Sequence, residues 1–227
     1  MLSTVARTVV PALGRLRVST AEGGSIAPGS IVAANHSALV DPGVVLAAVG
    51  RLGVQPVVLA TAGLWRIPVL RGALVRGGHI PVHRGSERAA ESLEAAAAAL
   101  AAGRVVVIYP EGRLPRRVDA GESAPGPFRT GLARLAAATG APVVPVGQAG
   151  ARRISSGSAA KQLAGLATAP LRRPALHVHV GAPVRLTGDT AAATAQAYAA
   201  VSAAWRTAAG QAGLLEPAGA GRPAEAG

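Results

Sequence analysis

The sequence predicts an α/β fold, a mostly parallel or mixed central sheet flanked by helices, and three observations carry that prediction. Residues 31–34 (IVAA), 104–109 (RVVVIY) and 142–146 (PVVPV) are apolar without alternation, as strands covered on both faces are. Residues 86–102 (SERAAESLEAAAAALAA) read as a helix, alanine-rich, with acids early and a stop at Gly103. Chemistry-bearing side chains, His36 and Glu111, follow closely on two of the apolar runs, and open α/β sheets place their chemistry at the carboxyl ends of strands.

Residues 1–20 combine Leu2, Val5, Val9, Leu13 and Leu16 with Arg7, Arg15 and Arg17. This suits a short interfacial helix kinked at Pro11, or an ordinary first helix covering the sheet. Residues 21–30, of Gly, Ser and Pro, form a loop into the first buried strand. A helix is expected near residues 44–49, a buried strand at 55–60, and two short helical pieces over 61–75, broken at Pro68 and Gly72. Residues 79–83 make a strand, which puts Arg84 at a strand's carboxyl end as His36 is. The 104–109 strand reads as central, and the loop at its end holds Glu111, Gly112 and Arg113. Residues 114–127 repeat Pro and Gly among polar residues and read as a mobile surface loop. A helix over 130–139 stops at Gly140, and the proline-bounded strand at 142–146 is expected near a sheet edge. The pairs Arg152-Arg153 and Arg172-Arg173 flank a small-residue helix and read as a solvated face. Residues 175–181 (ALHVHVG) alternate, placing His177 and His179 on one strand face, and a closing helix spans 189–209.

Composition narrows the function. Half of the 227 residues are hydrophobic but only 2% are aromatic, so the core must pack with Val, Leu, Ile and Ala in a chain of single-domain length. With no cysteine there is no disulfide framework, no thiolate nucleophile and no Cys-ligated zinc. His177 and His179 would supply only two ligands of a metal site that needs a third, so no metal is expected. Neither a nucleotide P-loop nor a dinucleotide glycine pattern is present, so no cofactor is expected. The net charge of +12, from 23 basic residues that are arginine in all but one case, calls for an anionic partner. Few aromatics and no zinc-finger or RNA-recognition signature turn that choice away from nucleic acid. No run reaches the roughly 18 apolar residues of a spanning helix, and the first residues lack a signal-peptide core. The expectation is a chain on the cytoplasmic side of the cell membrane.

The stretch 31–41 (IVAANHSALVD) delivers His36 from a strand and follows it five residues later with Asp41. On a regular helix those positions lie about 140° apart, so the two side chains meet only if residues 35–38 turn first. Asp41 would then hold one imidazole nitrogen and leave the other as a general base for a hydroxyl. The plainer readings are a structural histidine and an Asp-Pro helix start, with Asp41 as N-cap and Pro42 at the first helical position.

Residues 35–41 (NHSALVD) fit the N-H-x-x-x-x-D signature of the glycerolipid acyltransferases, and the chain resembles that family in three further blocks in the same order. These are residues 78–84 (GHIPVHR), residues 109–113 (YPEGR) with the helix 128–136 (FRTGLARLA) after them, and residues 143–146 (VVPV). The bacterial 1-acyl-sn-glycerol-3-phosphate acyltransferases are the nearest group. Two positions depart from the pattern: Gly112-Arg113-Leu114 stands where Gly-Thr-Arg is usual, and Arg129 stands where the family has lysine.

The resemblance implies a glycerol-3-phosphate acyltransferase-like fold, with an acyltransferase domain at 21–212 between the N-terminal segment 1–20 and a disordered tail at 213–227. His36 and Asp41 would be catalytic, and Arg84, Glu111, Gly112 and Arg113 would bind substrate, Arg84 gripping a phosphate. The donor would be acyl-CoA or acyl carrier protein, the acceptor lysophosphatidic acid, and the working place an anionic membrane surface. Two alternatives use the same sequence features: an acyltransferase for another lysolipid or lipoamino acid, and a non-catalytic acidic-lipid binder.

Overall fold

The computed structural model describes residues 2–83, 89–115 and 120–215, apart from the side chain of Ala89. Helix α1 (Leu2–Leu13) leads into β1 (Arg15–Thr20), and a loop brings the chain to β2 (Ile31–Ala34) and α2 (Asp41–Arg51). Strand β3 (Val57–Thr61), a 3-10 turn (Ala62–Arg66), α3 (Pro68–Arg76) and β4 (Ile80–Val82) follow. Then come α4 (Ala89–Ala101), β5 (Val106–Ile108), α5 (Gly131–Thr139), β6 (Val143–Ala149) and a second 3-10 turn (Ala151–Arg153). Helix α6 (Ala159–Arg172), β7 (Ala175–Val180) and α7 (Thr190–Gln211) complete the chain.

The strands form one sheet in the order β1-β7-β6-β2-β5-β3-β4, parallel throughout except between β6 and β7. The sheet is therefore mixed, with β2 at its centre. Because strand side chains alternate, the inner strands β2, β3, β5 and β6 each feed two cores. Val32, Ala34, Val144, Val146 and Val178 join Val10 of α1, Val45 and Val49 of α2, and Ala169 of α6. Ile31, Ala33, Val106, Ile108 and Val143 join Leu100 of α4, Leu135 of α5 and Val201 of α7. The unalternating apolar runs of the sequence are the signature of this double cover. Close approach tightens it at one point: a Cβ on Gly147 of β6 would run into the backbone of Ala204 and Trp205 in α7.

Five expectations change. The opening helix stops at Leu13, and Arg15, Leu16 and Arg17 belong to β1, paired in parallel with β7, because Gly14 breaks the helix against Leu176 and Pro174. Gly72 does not interrupt α3, which runs from Pro68 to Arg76, since one glycine costs a helix only about 1 kcal/mol. Strand β6 is interior and fully buried, not near an edge. Pro145 is accommodated because its carbonyl, and hence its missing N–H, faces the end of β7, where the Gly181 N–H donates to it at 2.8 Å. Residues 120–127 lack regular structure but are fastened rather than free, with Pro125 buried and its carbonyl accepting from the Tyr198 hydroxyl at 3.3 Å. Arg152 leaves the predicted solvated face altogether and is 2% exposed.

Candidate active site

Strand β2 ends at Ala34, yet its ladder with β6 continues through a side chain. The Asn35 amide stands in for a peptide group: its Oδ1 accepts the Gln148 N–H at 2.8 Å and its Nδ2 donates to the Gln148 carbonyl at 3.1 Å. The backbone N–H and carbonyl of Gln148 are thus satisfied while the main chain is released to turn at His36. The Gln148 side chain secures the turn by donating from Nε2 to Ser37 Oγ at 3.1 Å.

That turn brings His36 Nδ1 to 3.1 Å from Asp41 Oδ2. The same oxygen accepts the backbone N–H groups of Ser37 and of Ala38, the latter at 2.7 Å. Helix α2 does begin at Asp41-Pro42, as an Asp-Pro pair suggests, but Val40 occupies the N-cap and no side chain caps the helix. The carboxylate reaches back to the histidine turn instead. With Nδ1–H directed at Asp41, the imidazole keeps Nε2 for an incoming proton.

Strand β5 supplies the other side. The Tyr109 ring lies against the imidazole, centroids 4.5 Å apart and planes tilted by 33°, and burial holds its hydroxyl well above the ordinary tyrosine range. Glu111 is buried, and its two oxygens accept different backbone donors: Oε1 the His36 N–H at 2.7 Å, Oε2 the Gly126 N–H at 2.9 Å. It therefore ties the histidine turn to the fastened 120–127 segment. Desolvation raises its pKa, opposed by those two backbone bonds. Glu122, in that segment, accepts the Gly150 N–H at 2.7 Å and is likewise raised by burial. Arg152 closes the ring of contacts, its Nη1 donating to the Ser37 carbonyl at 3.3 Å.

His36 stands between two cavities. The larger, about 1120 Å³, is walled by α1 residues such as Val5 and Val9, by Leu46 of α2, by β3, by Leu70 and Leu74 of α3, and by Leu132 of α5. Its volume exceeds the roughly 300–1,000 Å³ of most small-molecule sites, and its walls are mainly aliphatic, which suits a hydrocarbon chain. The smaller, about 160 Å³, is lined by Asn35, Ser37, Glu111 and Ser123, among others.

The structure brings together His36, Asp41, Glu111 and Gly112 of the residues expected from sequence. Gly112 lines the large cavity with its backbone at φ 72°, a left-handed conformation that favours glycine. Arg113 is exposed and lines neither cavity. Arg84 lies outside the described residues. His177 and His179 sit on β7, His179 with its Nδ1 2.9 Å from Ser19 Oγ, and no metal-binding cluster occurs among the described residues. Sequence reasoning missed the structural parts of Asn35 and Gln148 and the burial of Arg152. The only available signal was a polar Gln148 at the end of an apolar strand run.

Residues 15–148 match the family described as Acyltransferase. The chain belongs to the Acyltransferase family. The match spans β1 to β6 and so contains the His36–Asp41 pair and Glu111. The acyltransferase fold also aligns with a solved structure, the 1-acyl-sn-glycerophosphate (LPA) acyltransferase PlsC from Thermotoga maritima, at a TM-score of 0.69 and 17% sequence identity. That alignment covers 95% of this chain and 80% of the other. Compared with curated proteins, the sequence finds no match.

Proposed function

We propose that this acyltransferase moves a fatty acyl group from an acyl thioester, acyl-CoA or acyl carrier protein, to the free hydroxyl of 1-acyl-sn-glycerol 3-phosphate, giving phosphatidic acid. The observation that supports it most is a histidine-carboxylate pair opening onto a large aliphatic cavity. A glycerol hydroxyl is a weak nucleophile near neutral pH, so His36 takes its proton as the oxygen attacks the thioester carbonyl. Asp41, held by two backbone N–H groups, stabilises the imidazolium that forms. Collapse of the tetrahedral intermediate breaks the C–S bond, and the departing thiolate takes the proton back from His36. No acyl-enzyme is needed: the chain has no cysteine, and Ser37 Oγ accepts from Gln148 rather than donating to His36.

In the same reading the enzyme works on an anionic bilayer as a peripheral protein. Among the described residues no helix is long and apolar enough to cross a membrane, while Val5 and Val9 of α1 and Val69 and Val75 of α3 are exposed. Incubating the purified protein with acyl-CoA and lysophosphatidic acid, with mass spectrometry of the lipid products, tests the reaction. Phosphatidic acid should form with the unmutated protein and nearly vanish with His36→Ala. A protein that binds anionic vesicles without forming any acylated product would instead be a lipid binder.

A further inference from the structure

Helix α6 lies beyond residues 15–148, the segment that matches the family, and it turns an apolar side to the outside. Its Ala169 is buried in the core shared with Val10 of α1. The opposite side carries Ala160, Leu163, Ala164, Ala167 and Leu171, all exposed, with Leu163 at 70% and Leu171 at 88%. On a regular helix these residues fall within a stripe about 100° wide, and the two leucines stand about 12 Å apart along the axis. A surface helix ordinarily sets its apolar stripe on the core and polar residues in water, so α6 is the reverse of a helix made to face solvent. Lys161 and Arg172 border the stripe, and Arg153 and Arg173 lie beside the helix. Arg172 Nη1 donates to the Arg153 carbonyl at 3.0 Å and Arg173 Nη2 to the Pro11 carbonyl at 3.3 Å, so both guanidiniums rest on neutral acceptors. None of these cations has a carboxylate partner among the described residues, and the sequence has no Asp or Glu between Glu122 and Asp189.

The helix is fastened close to the histidine turn. A Cβ on Gly165 would run into the Ile154 carbonyl, and Arg152, two residues before Ile154, donates to the Ser37 carbonyl. Its neighbour α1, joined to it through Arg173 and Pro11, is a wall of the large cavity. We propose that α6 is a docking helix for an anionic bilayer, its leucines entering the acyl region and its cations meeting lipid phosphates, which brings the α1 wall of the cavity to the lipid surface. The docking rests on the membrane reading above and assigns it to a helix outside those named there. A basic helix with an apolar stripe binds such a surface through buried apolar area and attraction to anionic headgroups. A second copy of the chain fits less well, since two α6 faces would crowd like charges together with no acid to meet them. An acidic protein would need a preformed groove for leucines on a convex ridge, whereas fluid hydrocarbon adapts to them.

The chain has no cysteine, so Leu163→Cys can carry a single environment-sensitive fluorophore. With vesicles of phosphatidylglycerol and phosphatidylcholine its emission should shift to the blue, and the shift should shrink with phosphatidylcholine alone and as salt rises. The same label on Arg206→Cys, an exposed position of α7 on the other face of the sheet, should not shift. Unlabelled Leu163→Asp/Leu171→Asp should lose about tenfold or more in co-sedimentation with the mixed vesicles while its circular dichroism stays that of the unmutated protein. No shift at position 163, or equal co-sedimentation of the double variant, overturns α6 as the docking helix. If the unmutated protein still sediments with the vesicles in that case, the membrane reading stands without α6. A shift in buffer that grows with protein concentration marks a second copy on the face and overturns the bilayer, as does a shift that acyl carrier protein produces and vesicles do not. Acyl transfer to lysophosphatidic acid dispersed in detergent should be equal in the double variant and the unmutated protein. Transfer lost in the variant alone overturns docking as the role of these leucines, whereas transfer absent from both fails the acyl-transfer reading and leaves the vesicle result to decide α6.

Discussion

The two sides of His36 are built by different physics. On the sheet side, Asn35, Asp41, Glu111, Gln148 and Arg152 make directed hydrogen bonds, and most of their partners are backbone groups of the turn or of the segments beside it. On the cavity side, α1 and α3 offer aliphatic surface, with Val5 54% and Val9 46% exposed. Catalysis needs a histidine held to a fraction of an ångström, which directed hydrogen bonds to the backbone of its turn deliver. Holding a flexible hydrocarbon needs area and few directed contacts, so the wall tolerates variation that the sheet side does not.

The sharpest break of this contrast is His36→Ala, expected to lower turnover by about 10²–10⁴ while circular dichroism and the melting midpoint stay near those of the unmutated protein. Next is Glu111→Gln, which sets an amide N–H against one of two backbone donors and should cost about 1–3 kcal/mol in urea unfolding. Its kcat should fall more than its acceptor KM rises, because the carboxylate holds the turn and not the substrate. On the wall, Val5→Asp or Val9→Asp should leave the unfolding midpoint in aqueous buffer within about 0.5 kcal/mol, as for other exposed sites, and weaken binding to anionic vesicles. If the wall variants destabilised the fold as much as Glu111→Gln does, the contrast would collapse. The smallest effect concerns Glu122. Its folded pKa is raised above 4.5 by burial, so its stabilising contribution is full below about pH 4.5 and is lost as pH rises through the folded value. The stability difference between the unmutated protein and Glu122→Gln should therefore shrink or reverse as pH rises through that window, as read from urea midpoints.

Much of the sheet side could be read from local pattern. The strands at β2 and β5, the helix α4 and the meeting of His36 with Asp41 through a turn all depend on neighbours in sequence. What could not be read depends on partners far away. Gln148 serves Asn35 across 113 positions, and Arg152 is drawn inside by a carbonyl 115 residues back, against the usual solvation of an arginine pair. The prolines around β6 suggested an edge because a missing N–H normally weakens a ladder. Only the position of β7's end reveals that Pro145 keeps one bond there, its carbonyl accepting the Gly181 N–H. The likeness to glycerolipid acyltransferases pointed to Arg113 through its neighbours in sequence, and past the left-handed turn at Gly112 that residue is exposed and outside the lining of both cavities.

Strand β1 has one neighbour in the sheet, and it comes late: Arg15 pairs with Ala175 and Thr20 with Val180. A contact of that sequence separation is slow to form and cannot form on the ribosome until β7 has emerged. The nascent chain can assemble β2, β5, β3 and β6 around the histidine turn while residues 15–20 still lack a ladder. Helix α1, a wall of the large cavity, packs on α2 and is joined to the sheet through β1 when that ladder closes. The order of synthesis thus lets the strands around the histidine turn emerge before β1 can close its ladder with β7.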